Sequence, residues 1–183
     1  MFRANLPARG LIAAVGLAAS AAAAAATGAC RDVTAPQQDP TTVKYSDSLV
    51  ALLGLNIATF TRDTSGVYYK DVTPGSGTLV TKGATVGYYY TGYLASGRLF
   101  ETDTTLTSPL TTVVGGGVPT RGFDRGLIGM RTFGRRILLI PPALGYGNQA
   151  QGTRVPAGSV LIYNVYLPTV TAPATTTTTR SPR

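Results

Sequence analysis

Stretches of β-favouring residues in this chain close repeatedly on an aromatic residue beside a glycine, and this constrains the fold more than any other feature. Three such blocks follow in order: Tyr89-Tyr90-Thr91-Gly92-Tyr93, then Gly97-Arg98-Leu99-Phe100-Glu101, then Ile140-Pro141-Pro142-Ala143-Leu144-Gly145-Tyr146-Gly147. Glycine permits turns that strain other residues, and aromatic rings bury the largest apolar surface of any side chain. A chain written this way projects rings from sheet edges and turns into one shared apolar hollow.

The runs around these blocks read as strands. Gly66–Val72 is β-rich and stops at Pro74-Gly75-Ser76-Gly77; Thr85–Leu94 turns at Ala95-Ser96-Gly97. Leu110–Val114 ends on Gly115-Gly116-Gly117, Phe133–Ile140 on Pro141-Pro142, and Val160–Leu167 on Pro168. In the last run Leu161, Tyr163, Val165 and Leu167 share one face, since strand side chains alternate. One helix is expected inside the domain, over Gly122–Met130, where Phe123, Leu127 and Met130 form a single stripe. Five to six strands and one short helix make an α+β domain, a sheet wrapped on that helix.

With Gly122-Phe123-Asp124, Leu127 and Met130 lying between the second block and the third, the set resembles the FKBP-type peptidyl-prolyl cis–trans isomerases. The motifs of that family are Tyr-Thr-Gly, Gly-x-x-Phe-Asp and Ile-Pro-Pro-x-x-x-Tyr-Gly. The resemblance spans Ser65 to Leu167 almost without gaps. It implies an antiparallel sheet curved around one helix, with the ligand hollow between them. Carried over residue by residue, it assigns a catalytic role to Tyr90, Phe100, Glu101 and Tyr146. It assigns substrate binding to Leu110, Pro119, Thr120, Phe123, Val155 and Tyr163.

The chain departs from the family pattern at several of these positions. Phe123 stands where the family has a Trp at the pocket floor, Glu101 where it has Asp, Leu110 where it has Phe, and Pro119-Thr120 where it has Val-Ile. These changes bear on rate and ligand affinity more than on fold. Read without the resemblance, Phe123, Leu110, Val155 and Tyr163 are ordinary core residues. Tyr90 and Tyr146 are then water-satisfied strand tyrosines, and Glu101 a solvated charge.

Composition narrows the chemistry. The chain has no histidine, which excludes a histidine triad, a histidine general base and a histidine-ligated metal. Its single cysteine, Cys30, rules out an internal disulfide. No metal and no cofactor are expected. The net charge of +8 is spread along the chain, only Arg135-Arg136 being adjacent within the domain, so a nucleic-acid partner is not expected.

Prolyl isomerisation suits such a chain. Rotation about an X–Pro bond passes through a twisted amide that has lost resonance, with a barrier of about 18–20 kcal/mol. Water favours the planar, more polar amide, and a dry aromatic pocket favours the twisted form by comparison. No nucleophile is required. Proline-containing polypeptides are the implied substrates. The proline ring is expected on Phe123, walled by Tyr90, Phe100, Val155 and Tyr163, with the Tyr146 hydroxyl and the Thr120 backbone N–H as donors to substrate carbonyls. The rival class is a non-catalytic chaperone or peptide-binding module that keeps the fold and the cleft, and the pocket departures are its support.

Outside the domain, residues 1–29 read as an export signal. Arg3 and Arg9 precede an apolar, alanine-rich stretch of about 16 residues, short for a spanning helix. It ends at Thr27-Gly28-Ala29-Cys30, which looks like a bacterial lipobox, with Thr27 where Leu is most usual. A lipidated Cys30 would hold the domain at a membrane of the cell envelope without spanning it; ordinary cleavage within the alanine run would leave Cys30 a free thiol instead. Residues 30–46 are polar and Pro-rich, a flexible tether. Residues 47–64 are a short satellite segment with helical spacing at Leu49, Leu52, Leu53 and Asn56, capped by Asp47, that either packs on the domain or dimerises. The Thr- and Pro-rich residues 169–183 carry no apolar periodicity and are expected to be disordered.

Overall fold

The two longest β-favouring runs, 85–94 and 161–171, form the central strand pair of an antiparallel sheet. The structure is a computed structural model that describes residues 36–104 and 107–173. Its strands are β1 (Thr61–Arg62), β2 (Tyr68–Thr73), β3 (Thr85–Leu94), β4 (Leu99–Asp103), β5 (Leu110–Val113), β6 (Arg135–Ile140) and β7 (Leu161–Thr171). They run in the order β1-β2-β6-β7-β3-β4, with β5 also pairing β3, and every pair is antiparallel. This is the α+β, FKBP-like arrangement expected, with seven strands in place of five or six. The additions are the two-residue β1 and β4, which carries Leu99, Phe100 and Glu101 of the second block.

Two boundaries differ from the sequence reading, each for a local reason. Pro168 does not end β7, which continues to Thr171. The pairing with β3 shifts register between Gly87 and Tyr89, opposite Thr169 and Tyr166. Pro168 therefore sits in a bulge, where a strand tolerates a residue without an N–H. The domain helix α2 spans Arg121–Leu127 and stops short of Met130. Ile128 is extended and Gly129 takes a positive φ of 83°, a conformation that breaks the helix, although Met130 is still buried. The helix starts where the Thr120 hydroxyl accepts from the Phe123 N–H at 3.2 Å, a side-chain N-cap.

Alternation along β6 and β7 sorts the interior into two layers. Leu138, Ile140, Leu161, Tyr163, Val165 and Leu167 face α2 in the main core, as the shared face of the last run anticipated. Ile137, Leu139, Val160 and Ile162 face the opposite side. That second face is covered by the N-terminal segment. Helix α1 (Asp47–Leu53) buries Leu49 there, joined by Leu55 and by Val43, Tyr45 and Phe60. Ser46, not Asp47, caps α1: its hydroxyl accepts from the Leu49 N–H at 3.3 Å, and Gly54 closes the helix in the left-handed conformation.

Residues 37–46, read from composition as tether, also lie against the sheet. The Gln38 N–H donates to Gly158 O (2.9 Å), the Gln38 side-chain oxygen accepts from the Val160 N–H (2.9 Å), and Gln37 bonds Asn148. The far end of α2 is fastened by Arg136. Its buried guanidinium donates to the carbonyls of Gly126 (2.8 Å) and Ile128 (3.0 Å), pairs with Asp71 at 2.7 Å and lies over the Tyr69 ring. Among the described residues no helix is long and apolar enough to cross a membrane.

Candidate active site

The pleat of β3 turns Tyr88, Tyr90 and Gly92 toward α2, and their neighbours complete an aromatic cluster. Phe123 from the first turn of α2 and Tyr163 from β7 meet edge to face, centroids 5.0 Å apart. Tyr90 lies 5.8 Å from Phe123 and 5.6 Å from Tyr163, and Phe100 of β4 closes on Tyr163 at 5.6 Å. Edge-to-face packing of this kind adds to the stabilisation from burial and holds the rings in one arrangement. Tyr88, 5.2 Å from Phe123, belongs to the cluster and was not singled out in the sequence. Its signal was the two-residue spacing from Tyr90.

The glycine of the first block has a structural reason. A Cβ at Gly92 would come within 2.7 Å of the Phe100 ring, so any side chain there displaces it. The Tyr-Thr-Gly sequence thus places one ring and clears space for another.

Above the cluster lies an open hollow of about 340 Å³, bordered by Phe100, Glu101, Tyr146, Val155, Gln151 and Arg154. Four of these six were expected from the sequence. Tyr90 is buried directly behind this wall, while Phe123 and Tyr163 have no exposed surface and do not border the hollow. Thr120 is buried and its hydroxyl is occupied capping α2; Pro119 is half-buried. Leu110 begins β5 opposite Tyr88 and is 41 % exposed, outside the walls of the hollow.

Tyr146 is carried on a stiff turn. Pro142–Leu144 form one turn of 3₁₀ helix, and the Gly145 and Gly147 N–H groups donate to Pro142 O at 2.9 and 2.8 Å, so the backbone on both sides of Tyr146 is held. Val155 sits on a loop closed by the Gln151 N–H donating to Val155 O (2.8 Å). Arg98, in the turn before β4, donates to the Thr153 and Arg154 carbonyls and ties that loop to the β3–β4 turn. Gln151, Arg154 and Arg98 escaped the sequence reading because long-range loop contacts have no periodic signature.

A larger hollow of about 420 Å³ lies on another part of the surface, against Asp63, Tyr69, Lys82, Asp124, Arg125 and Arg136. Its buried polar groups are committed within the protein. Asp63 accepts from the Ser65 and Val67 N–H groups, Asp124 from the Gly115 N–H, and Arg136 is paired with Asp71. It contains none of the aromatic blocks.

The electrostatics of the site keep its phenols neutral. Burial pushes the Tyr90, Tyr146 and Tyr163 hydroxyls above their ordinary ionisation range, and the nearby Glu101 carboxylate adds to the shift. Each remains an O–H donor across the physiological range. Glu101 lies within reach of the Tyr90 hydroxyl and orients it as an acceptor. Among the described residues no three His, Cys, Asp or Glu side chains come together in a metal-binding group.

The family model for FKBP-type peptidyl-prolyl cis-trans isomerase matches residues 77–168, which contain all three aromatic blocks and both walls of the hollow. The chain belongs to this family. It is a peptidyl-prolyl cis–trans isomerase of the FKBP type. It is 35% identical over 102 residues to an FK506-binding protein of Neisseria meningitidis serogroup B, covering 56% of this chain and 94% of that one. It is 36% identical over 122 residues to FK506-binding protein 2 of Dictyostelium discoideum, covering 65% and 90%. Among solved structures it is similar to FkpA from Escherichia coli, with a TM-score of 0.56 and 29% identity over 63% of this chain and 53% of that one. In family terms, the matched segment begins after α1, so the N-terminal covering of the second sheet face lies outside it.

Proposed function

We propose that this isomerase turns X–Pro bonds by holding the prolyl amide dry against Phe100 and Val155 while Tyr146 donates to a substrate carbonyl. The observation that carries this reading is the pairing of an open, part-apolar hollow with a phenol kept neutral at its edge. Phe123, Tyr90 and Tyr163 serve as a rigid backing whose edge-to-face and tilted ring contacts keep the wall from yielding. The twisted amide carries less charge separation than the planar one and gains most from leaving water, so the barrier falls without a nucleophile. Tyr90 and Glu101 act as a pair, the carboxylate aligning the phenol behind the wall.

A protease-coupled or refolding assay on a series of X–Pro peptides, with no metal or nucleotide added, tests the mechanism. Turnover is expected for the wild-type chain and a large loss for Tyr146→Phe. Full turnover by Tyr146→Phe would remove the hydroxyl from the mechanism and leave the apolar walls alone.

The substrates we propose are envelope or secreted proteins, reached from a lipid anchor on Cys30. Cys30 lies outside the described residues; what supports the reading is the Arg-led alanine-rich segment before it and the small residues at 28–29. Mass spectrometry of the mature protein should find a lipid-modified Cys30 at its N-terminus, and Cys30→Ser should release it from membranes. A mature terminus inside the alanine run would overturn the anchor.

A further inference from the structure

Among the described residues one buried side-chain polar atom lacks a hydrogen-bond partner, the hydroxyl oxygen of Tyr163. Packing does not require it. The Tyr163 ring is gripped by Phe123, Phe100 and Tyr90 through its faces and edges, contacts that a phenylalanine ring makes equally well. A hydroxyl removed from water and left unpaired is costly. A neighbouring polar group that comes into hydrogen-bonding geometry relieves that cost.

The surroundings name that partner. Tyr146 and Glu101 both border the hollow, and of the groups near the Tyr163 hydroxyl Tyr146 influences it most strongly. The two hydroxyls are near enough to act on each other as hydrogen-bond partners, but the full geometry of a hydrogen bond is not met. Tyr163 is fully buried and fixed by its ring contacts, whereas Tyr146 is only partly buried and borders the hollow. The adjustment therefore falls to Tyr146.

Resting on the mechanism proposed above, we infer that Tyr163 is a positioning residue for Tyr146: when substrate fills the hollow, the Tyr163 O–H donates to the Tyr146 oxygen and aims the Tyr146 O–H at the substrate carbonyl. A hydroxyl that accepts one hydrogen bond becomes a better donor of the next. The unsatisfied hydroxyl is the cost of keeping that donor ready.

The test is a double-mutant cycle of wild type, Tyr146→Phe, Tyr163→Phe and the double variant, read as kcat/KM, peptide affinity and melting temperature. Tyr163→Phe is expected to lower kcat/KM about fivefold, the worth of one neutral hydrogen bond. In the Tyr146→Phe background the same change should have no effect. Its melting temperature should hold or rise, because the substitution removes an unpaired buried group. Equal losses in both backgrounds, no loss in either, or a lowered melting temperature would each overturn the inference. Should the wild type bind an X–Pro peptide without turning it over, the catalytic mechanism fails but this inference is still decided. The cycle is then read in peptide affinity, where a loss confined to chains containing Tyr146 supports it and equal losses overturn it.

Discussion

Phe123 and Tyr163 stand edge to face, ring planes at 75° and centroids 5.0 Å apart, one from the first turn of α2 and the other near the start of β7. Both are fully buried, so the contact that joins helix to sheet also backs the wall of the hollow. Stability and turnover meet at this pair, and substitutions around it separate them.

Phe123→Ala removes a buried ring and should cost about 3–5 kcal/mol, with turnover falling in the fraction that stays folded. Tyr146→Phe removes one hydroxyl from a partly buried residue and should change stability by no more than about 1 kcal/mol. Denaturant melts of the two variants beside an X–Pro isomerisation assay check this. Equal stability losses would place Tyr146 in the structural core with Phe123.

Gly92→Ala inserts a methyl group where the Phe100 ring lies, 2.7 Å from the added carbon. The ring must move, and the wall of the hollow with it. Turnover should drop by about tenfold or more, since small misplacements of a binding wall are expensive in rate. The fold should persist, as β3 remains paired on both sides. A variant with unchanged kcat/KM would show that Phe100 tolerates displacement.

Leu49→Ala acts on the opposite face. Leu49 is 1 % exposed and packs with Ile137, Leu139 and Ile162, so truncation should cost about 2–5 kcal/mol. Turnover per folded molecule should stay at the wild-type level, because the cluster it joins shares no side chain with the hollow. A parallel fall in turnover would mean that the covering segment also governs the site, for which Gln38 and its bonds to Gly158 and Val160 supply a route.

The tyrosines set the alkaline limit. Tyr90, Tyr146 and Tyr163 have folded-state ionisation raised above the ordinary 10.0, so the folded chain holds protons that the unfolded chain releases above that value. Their contribution to stability is complete below about pH 10 and is lost as pH climbs through the folded values. Thermal melts should therefore be unaffected by these groups between about pH 6 and 9 and fall beyond 10, with turnover level over the same lower range. A tyrosinate signal from the folded protein below pH 10 would contradict the burial of these phenols.

Much of the site was legible in the chain because its parts are local. A tyrosine two residues before a glycine in a strand, a phenylalanine beside a carboxylate, and a Pro-Pro turn four residues ahead of Tyr146 each carry their own geometry wherever the strand is placed. The last strand was legible for the same reason: the shared face of Leu161, Tyr163, Val165 and Leu167 depends only on the pleat. Local rules also explain the errors. Proline at 168 reads as a stop until the bulge opposite Tyr88 is known, and Ser46 outcompetes Asp47 as cap because the chain enters α1 one residue earlier.

Tertiary structure alone decided which rings face the hollow and which lie behind it. Phe123 and Tyr163 carry the same sequence signal as Phe100, an aromatic residue at the right period, yet only Phe100 borders the open space. That difference arises from how closely α2 approaches the sheet, where a Cβ at Gly126 would meet Leu138 at 2.6 Å, and no spacing along the chain encodes it. The unpaired Tyr163 hydroxyl and the Arg98 tether on the 150s loop have the same origin. Contacts between residues tens of positions apart form only when the whole sheet has closed, so the amino-acid order determined the elements and the aromatic set, and packing decided their depth.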